Sequence, residues 1–131
     1  MGDTLVTVIE GAVAYTYPSD MRLKKNIIDI GAGTEFIKKL RPVQFQYKKS
    51  TDGPQNWGFI AQDIEAIVGH DNAILTISGD AQKTLGLRYT DFIAPMVKAI
   101  QEQQSTIEQL KKENASLKDR LDKIEALLEK K

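Results

Sequence analysis

A small α+β unit followed by a long C-terminal helix that assembles as a coiled coil is the fold class predicted for this 131-residue chain. Three patterns predict it. Short β-branched and aromatic runs open the chain, alternating and 3.6-period segments mix in the middle, and apolar heptads run from Ile93 to the end. They divide the sequence into residues 1–18, 19–91 and 92–131.

Thr4 to Ile9 and Ala12 to Tyr17 read as extended segments on either side of Glu10 and Gly11, ending at Pro18. An isolated hairpin is marginal in water, so this segment needs further copies of itself or the following domain to cover a face. It has the composition expected at the end of a β-rich stalk, and the chain reads as a piece that begins within a longer protein. Thr34 to Leu40 brings Phe36, Ile37 and Leu40 together at helical spacing, with Thr34 as the expected cap and Arg41-Pro42 as the stop. Val43 to Tyr47 alternates as a strand with one buried face, and a polar turn from Lys48 to Asn56 leads to a second strand at Trp57 to Ile60. Trp57 and Phe59 are expected in a core. Gln62 to Val68 reads as a short helix presenting Ile64, Ile67 and Val68, with Gly69 beyond its end. Ala73 to Ile77 and Thr84 to Tyr89 complete the unit as two strands flanking a turn at Ser78, Gly79 and Asp80.

Thr90 or Asp91 is the expected cap of the last helix, with Pro95 in its first turn, where a missing N–H costs little. Ile93, Ile100, Ile107, Asn114, Leu121 and Leu128 occupy one heptad position, and Met96, Gln103, Leu110, Leu117 and Ile124 the other. Glu113 with Lys118 and Arg120 with Glu125 have the offset of interhelical ion pairs. From Ile93 to Leu128 such a helix is about 54 Å long, too long for the preceding region to cover by folding back. The heptads leave two and three chains both open. The Gln103 and Asn114 layers would set register by pairing amides across the core.

Composition limits function. The chain carries 18 basic and 18 acidic residues, so no net field attracts nucleic acid or an anionic membrane. It contains no cysteine, which removes disulfides and thiolate zinc sites. No apolar run approaches the roughly 20 residues needed to span a bilayer.

Chemistry is best represented at Ser19 and Lys24. A serine hydroxyl is a weak nucleophile until its proton is removed, and a neutral lysine amine can remove it without histidine. The same residues, as Ser19-Asp20 ahead of a charged run, also suit a turn or helix cap. His70, the sole histidine, is a candidate assistant to catalysis, although its place after Gly69 favours a solvated loop. Asp63 and Glu65 read as a solvated helix face lacking partners for a metal site.

Several motifs in order then carry a resemblance: Ser19, Asp20, Arg22, Leu23, Lys24, Asn26 and Ile27; Leu40 to Val43 with Phe45, Tyr47 and Lys48; Gly58 to Asp63; Tyr89 to Pro95; and Lys98 to Glu102. Together, from residue 19 to about 110, they resemble the peptidase S74 type intramolecular chaperone auto-processing domain of phage tail spikes, tail fibres and neck appendages.

The resemblance implies a homotrimer that aligns an upstream β-rich stalk of the same polypeptide and then cuts itself away. It implies Ser19 as nucleophile and Lys24 as general base, with Asp20, Arg22 and Asn26 in support. Ser19 Oγ reaches the Pro18 carbonyl through a five-membered ring, whereas its own carbonyl would need a strained four-membered one, so Pro18-Ser19 is favoured over Ser19-Asp20 as the cleaved bond. Backbone N–H groups near Asp20 to Arg22 are candidate oxyanion donors, and Arg22 and Lys25 the charges that would favour a neutral Lys24. The setting implied is the host cytoplasm during phage assembly, with the released product on the virion tail. No cofactor or metal is expected. Gly31, Gly33 and Thr34 precede a helix and some neck-appendage relatives have been connected with ATP, but the stretch lacks a P-loop ending. A trimeric cap that never cleaves, with Ser19 as a turn residue, is the alternative.

Overall fold

The computed structural model describes residues 5–9 and 12–130, with side chains from Thr16 onward. Strands β1 (Leu5–Ile9) and β2 (Ala12–Thr16) pair antiparallel with Leu5 opposite Thr16 and Ile9 opposite Ala12, so the two opening segments form a hairpin. The expected turn residues Glu10 and Gly11, and Thr4, lie outside the described residues. A 3-10 turn at Met21–Leu23 follows. An extended stretch then leads to helix α1 (Thr34–Lys39), after which come β3 (Val43–Phe45), β4 (Asn56–Gly58), helix α2 (Ala61–Val68), β5 (Leu75–Ile77), β6 (Leu85–Leu87) and the long helix α3 (Ile93–Glu129).

Each sheet is a two-stranded antiparallel ribbon, β1-β2, β3-β4 and β5-β6. Ribbons this narrow cannot bury a face by themselves, and α2 packs against β5 and β6. Ile64 of α2, Ile74, Leu75 of β5 and Phe92 form the buried cluster, with Phe36, Leu40, Phe59, Val68 and Leu87 against it. Phe92 is the aromatic centre, stacked on Phe59 at 5.0 Å and on Phe36 at 6.3 Å between ring centroids. One residue from each of α1, the end of β4 and the start of α3 thus meets in one place. The geometry explains why the short elements need one another: none carries more than a few apolar side chains.

Three local expectations are corrected. Thr34 does not cap α1; Gly33 is the cap residue and makes no side-chain bond, because an acceptor arrives from α3 instead. Neither Thr90 nor Asp91 caps α3, which grows out of a 3-10 turn at Tyr89–Phe92 with Phe92 as the cap residue, while the Asp91 carboxylate lies 3.4 Å from Arg88. Trp57 is not in a core. It is 84% exposed, because the register of β3 with β4 puts it opposite Gln44 on the outer face, where its indole N–H donates to Gln44 Oε1 at 3.1 Å. Gly69 ends α2 as expected, and its φ of +85° is the left-handed backbone that favours glycine there.

Helix α3 spans 37 residues, about 55 Å at 1.5 Å per residue. Its first two turns pack on the small unit through Pro95 and Ala99, both buried. From Ile100 onward every described residue is exposed, including the heptad residues Ile107, Leu110, Leu117, Leu121, Ile124 and Leu128. Lys118 and Lys123 pair with Asp122 and Asp119 along the helix itself, each at 3.0 Å. No helix among the described residues is long and apolar enough to cross a membrane.

Candidate active site

The chain leaves β2 at Thr16, passes Tyr17 and Pro18, and enters the 3-10 turn with Ser19 and Asp20 just ahead of it. Asp20 holds this turn together. Its Oδ1 accepts from the Arg22 backbone N–H at 2.8 Å, and its carbonyl accepts from Leu23 N–H at 3.0 Å. This is the short side-chain-to-backbone bond for which aspartate suits a turn start. The Arg22 guanidinium folds back on the same carboxylate, with Nη2 at 2.7 Å from Oδ2 and Nε within 3.2 Å of both oxygens. These side-chain bonds first, and the backbone bond second, hold the Asp20 carboxyl below its ordinary value, while Asp20 raises Arg22 above its own.

The consequence of the turn is a short path from Ser19 to Lys24. Lys24 Nζ donates to Ser19 Oγ at 2.7 Å, a short charge-assisted bond, although five residues separate the two. The same heavy-atom separation would serve a neutral amine accepting the hydroxyl proton. Both side chains are exposed in the single chain.

The remaining site expectations fall out differently. Arg22 supplies little field at Lys24, since its charge is matched by Asp20; Lys25 makes no ion pair among the described residues. Of the backbone donors, Arg22 and Leu23 N–H are already occupied, whereas Asp20 and Met21 N–H make no hydrogen bond among those described. Asn26 adopts a left-handed backbone with φ of +55° just past Lys24, where the chain leaves the turn. An asparagine tolerates that region better than most residues.

His70 is exposed and bonded to Glu65, Nδ1 to Oε1 at 2.8 Å, and makes no bond to Ser19 or Lys24. Asp63 is held by Arg41, whose Nε and Nη2 lie 2.9 and 2.7 Å from Oδ2. Among the described residues no three His, Asp or Glu side chains converge as metal ligands. Residue-type reasoning missed one contact altogether. Glu102, on α3, accepts at 2.8 Å from the backbone N–H of Thr34 at the start of α1. The only signal for it was the motif ending at Glu102, which carries no indication of its partner.

Residues 19–72 match the peptidase S74 family, described as chaperone of endosialidase. The match begins at Ser19 and runs through the 3-10 turn, α1, β3, β4 and α2, ending before β5. The match supports an S74-type intramolecular chaperone domain over this stretch, and the family is described by its chaperone role. No curated protein and no solved structure gives a match.

Proposed function

We propose that the chain is a C-terminal intramolecular chaperone of a phage tail or appendage protein, which trimerises, aligns an upstream β-rich stalk and then releases itself at Pro18-Ser19. The observation that carries the reading is the 2.7 Å contact of Lys24 Nζ with Ser19 Oγ at the first residue of the family match, directly downstream of the β1-β2 hairpin.

Neutral Lys24 takes the hydroxyl proton as Ser19 Oγ bonds to the Pro18 carbonyl carbon. The tetrahedral intermediate collapses by breaking the bond between the Pro18 carbon and the Ser19 nitrogen. That nitrogen receives the proton from the Lys24 ammonium, leaving the Pro18 acyl group as an ester on Ser19. Water then hydrolyses the ester, freeing a Pro18 carboxylate and restoring the Ser19 hydroxyl. Asp20 and Met21 N–H are the backbone donors left for the oxyanion.

Trimerisation is supported by the apolar side chains that one chain leaves uncovered. Met21, Leu23, Ile27 and Ile28 around the dyad, and the α3 heptad residues, are all exposed. An apolar surface of this extent marks an interface. Packing it away would also desolvate the dyad and favour a neutral amine, so that cutting reports assembly. Aligning three stalks in advance raises their local concentration, which offsets the entropy cost of slow non-local β pairing. Nothing in the reading requires a cofactor, nucleic acid or a membrane; it operates in the host cytoplasm during phage assembly.

Ser19→Ala and Lys24→Ala are each expected to abolish release of residues 1–18 on a denaturing gel while light scattering still gives the mass of three chains. Undiminished cleavage in Lys24→Ala removes the dyad. An intact wild-type chain leaves the non-cleaving trimeric cap as the function.

A further inference from the structure

The segment that carries the dyad is fastened to the rest of the molecule in an unusual way. Residues 25–32 enter no backbone–backbone hydrogen bond among those described. Asp29 and Ile30 run along a shallow groove beside Ala94, Val97 and Lys98 of α3. The first firm attachment after Lys24 comes where Glu102 Oε1 accepts from Thr34 N–H at 2.8 Å. Beneath that carboxylate Gly33 is buried, and a Cβ there would stand 2.8 Å from Glu102 Cδ and 2.9 Å from Lys98 Cγ. Only glycine leaves the carboxylate room to reach the helix start.

The heptad fixes which side of α3 this is. Glu102 lies two positions after Ile100, on the flank that also buries Pro95 and Ala99, and turned away from the Ile100 and Gln103 seam. A carboxylate on this flank can hold α1 while the seam is free for other copies. From Gly33 back to Lys24 an extended chain spans at most roughly 30 Å, so fastening its Gly33 end confines the dyad to that radius around the start of α1.

We propose that Glu102 is a positioning residue for self-cleavage. It fastens the C-terminal end of the arm bearing Ser19 and Lys24 to the outer flank of α3, so that the dyad is kept within a limited reach of the assembled helices. The inference rests on the proteolytic reading above.

The test follows release of residues 1–18 by the full chain in wild type, Glu102→Ala and Glu102→Gln, alongside amide exchange at Thr34 in a Ser19→Ala background. Glu102→Ala is expected to slow cleavage roughly three- to tenfold, the size of one lost exposed hydrogen bond. Glu102→Gln, which keeps an acceptor oxygen, recovers most of the rate. Thr34 exchanges faster in the alanine variant, while the Ile64 amide and the oligomer mass are unchanged. Wild-type cleavage in Glu102→Ala, unaltered Thr34 exchange, or a glutamine variant as slow as alanine overturns the proposal. If Glu102→Ala loses protection at Ile64, Glu102→Asp takes its place: a carboxylate one methylene short must slow cleavage, and a wild-type rate overturns the proposal. A wild-type chain that releases nothing overturns the proteolytic reading itself, and the positioning role with it.

Discussion

Ser19 and Lys24 sit at hydrogen-bond distance in water rather than in a cavity, and for a serine–lysine pair that difference decides the chemistry. Burial favours the uncharged amine, so the contact supplies geometry, and in the proposed mechanism assembly supplies the environment. Arg22 does not help, because its guanidinium is spent on Asp20. The histidine has a separate, purely local part. Glu65 bonds His70 and raises its pKa above the ordinary value, first through that bond and then through its charge. With the folded value above the unfolded one, the contribution to stability is complete below about pH 6.5 and is lost as pH rises through the folded value. The melting-temperature gap between wild type and His70→Ala is therefore expected to be wider at about pH 5.5 than at about pH 8. It should be small, since the pair is exposed. Equal gaps at both pH values would show that the pair contributes nothing.

At the scale of elements, the burden falls on α2 and on the two-sided character of α3. Ile64 is the one side chain with 0% exposure among the described residues, and around it α2 meets β5, β6 and Phe92. Truncating it removes apolar volume from the centre of this cluster. Ile64→Ala is expected to cost about 2–5 kcal/mol, measured by denaturant unfolding; a loss under about 1 kcal/mol would mean that the core collapses around the gap. Helix α3 divides its work by face. Pro95 and Ala99 pack inward and Glu102 reaches α1, whereas Ile100, Ile107, Leu110 and Leu117 have nothing over them. One helix can thus hold the small unit on one flank and present a seam on the other.

For the whole molecule, stability and activity become questions about concentration. A core of Ile64, Ile74, Leu75 and Phe92 is small, and the apolar residues outside it are many. If copies cover those residues, binding stabilises the folded chain by mass action, and the apparent melting temperature of the uncleavable Ser19→Ala chain rises, by roughly several degrees, over a hundredfold increase in concentration. A midpoint independent of concentration would mean that the single chain is stable alone and would remove the physical basis for coupling assembly to cleavage.

The spacing of Ser19 and Lys24 equally suited a turn, and their pairing was an expectation implied by the family resemblance. The sequence by itself determined the element types and the heptads, because each depends on periodicity. The hairpin before Pro18, the end of α2 at Gly69 and the start of α3 near Ile93 were legible for that reason. Caps were not: Thr34 and Asp91 had suitable side chains, but a partner from elsewhere or a preceding 3-10 turn took over the task. Trp57 was misjudged because hydrophobicity says nothing about which face a strand register turns outward. Only the tertiary structure decided the reach of Glu102 across 68 positions to Thr34, and the outward face of the seam. Both depend on how separate elements approach in space, and local patterns along a chain carry no term for that approach.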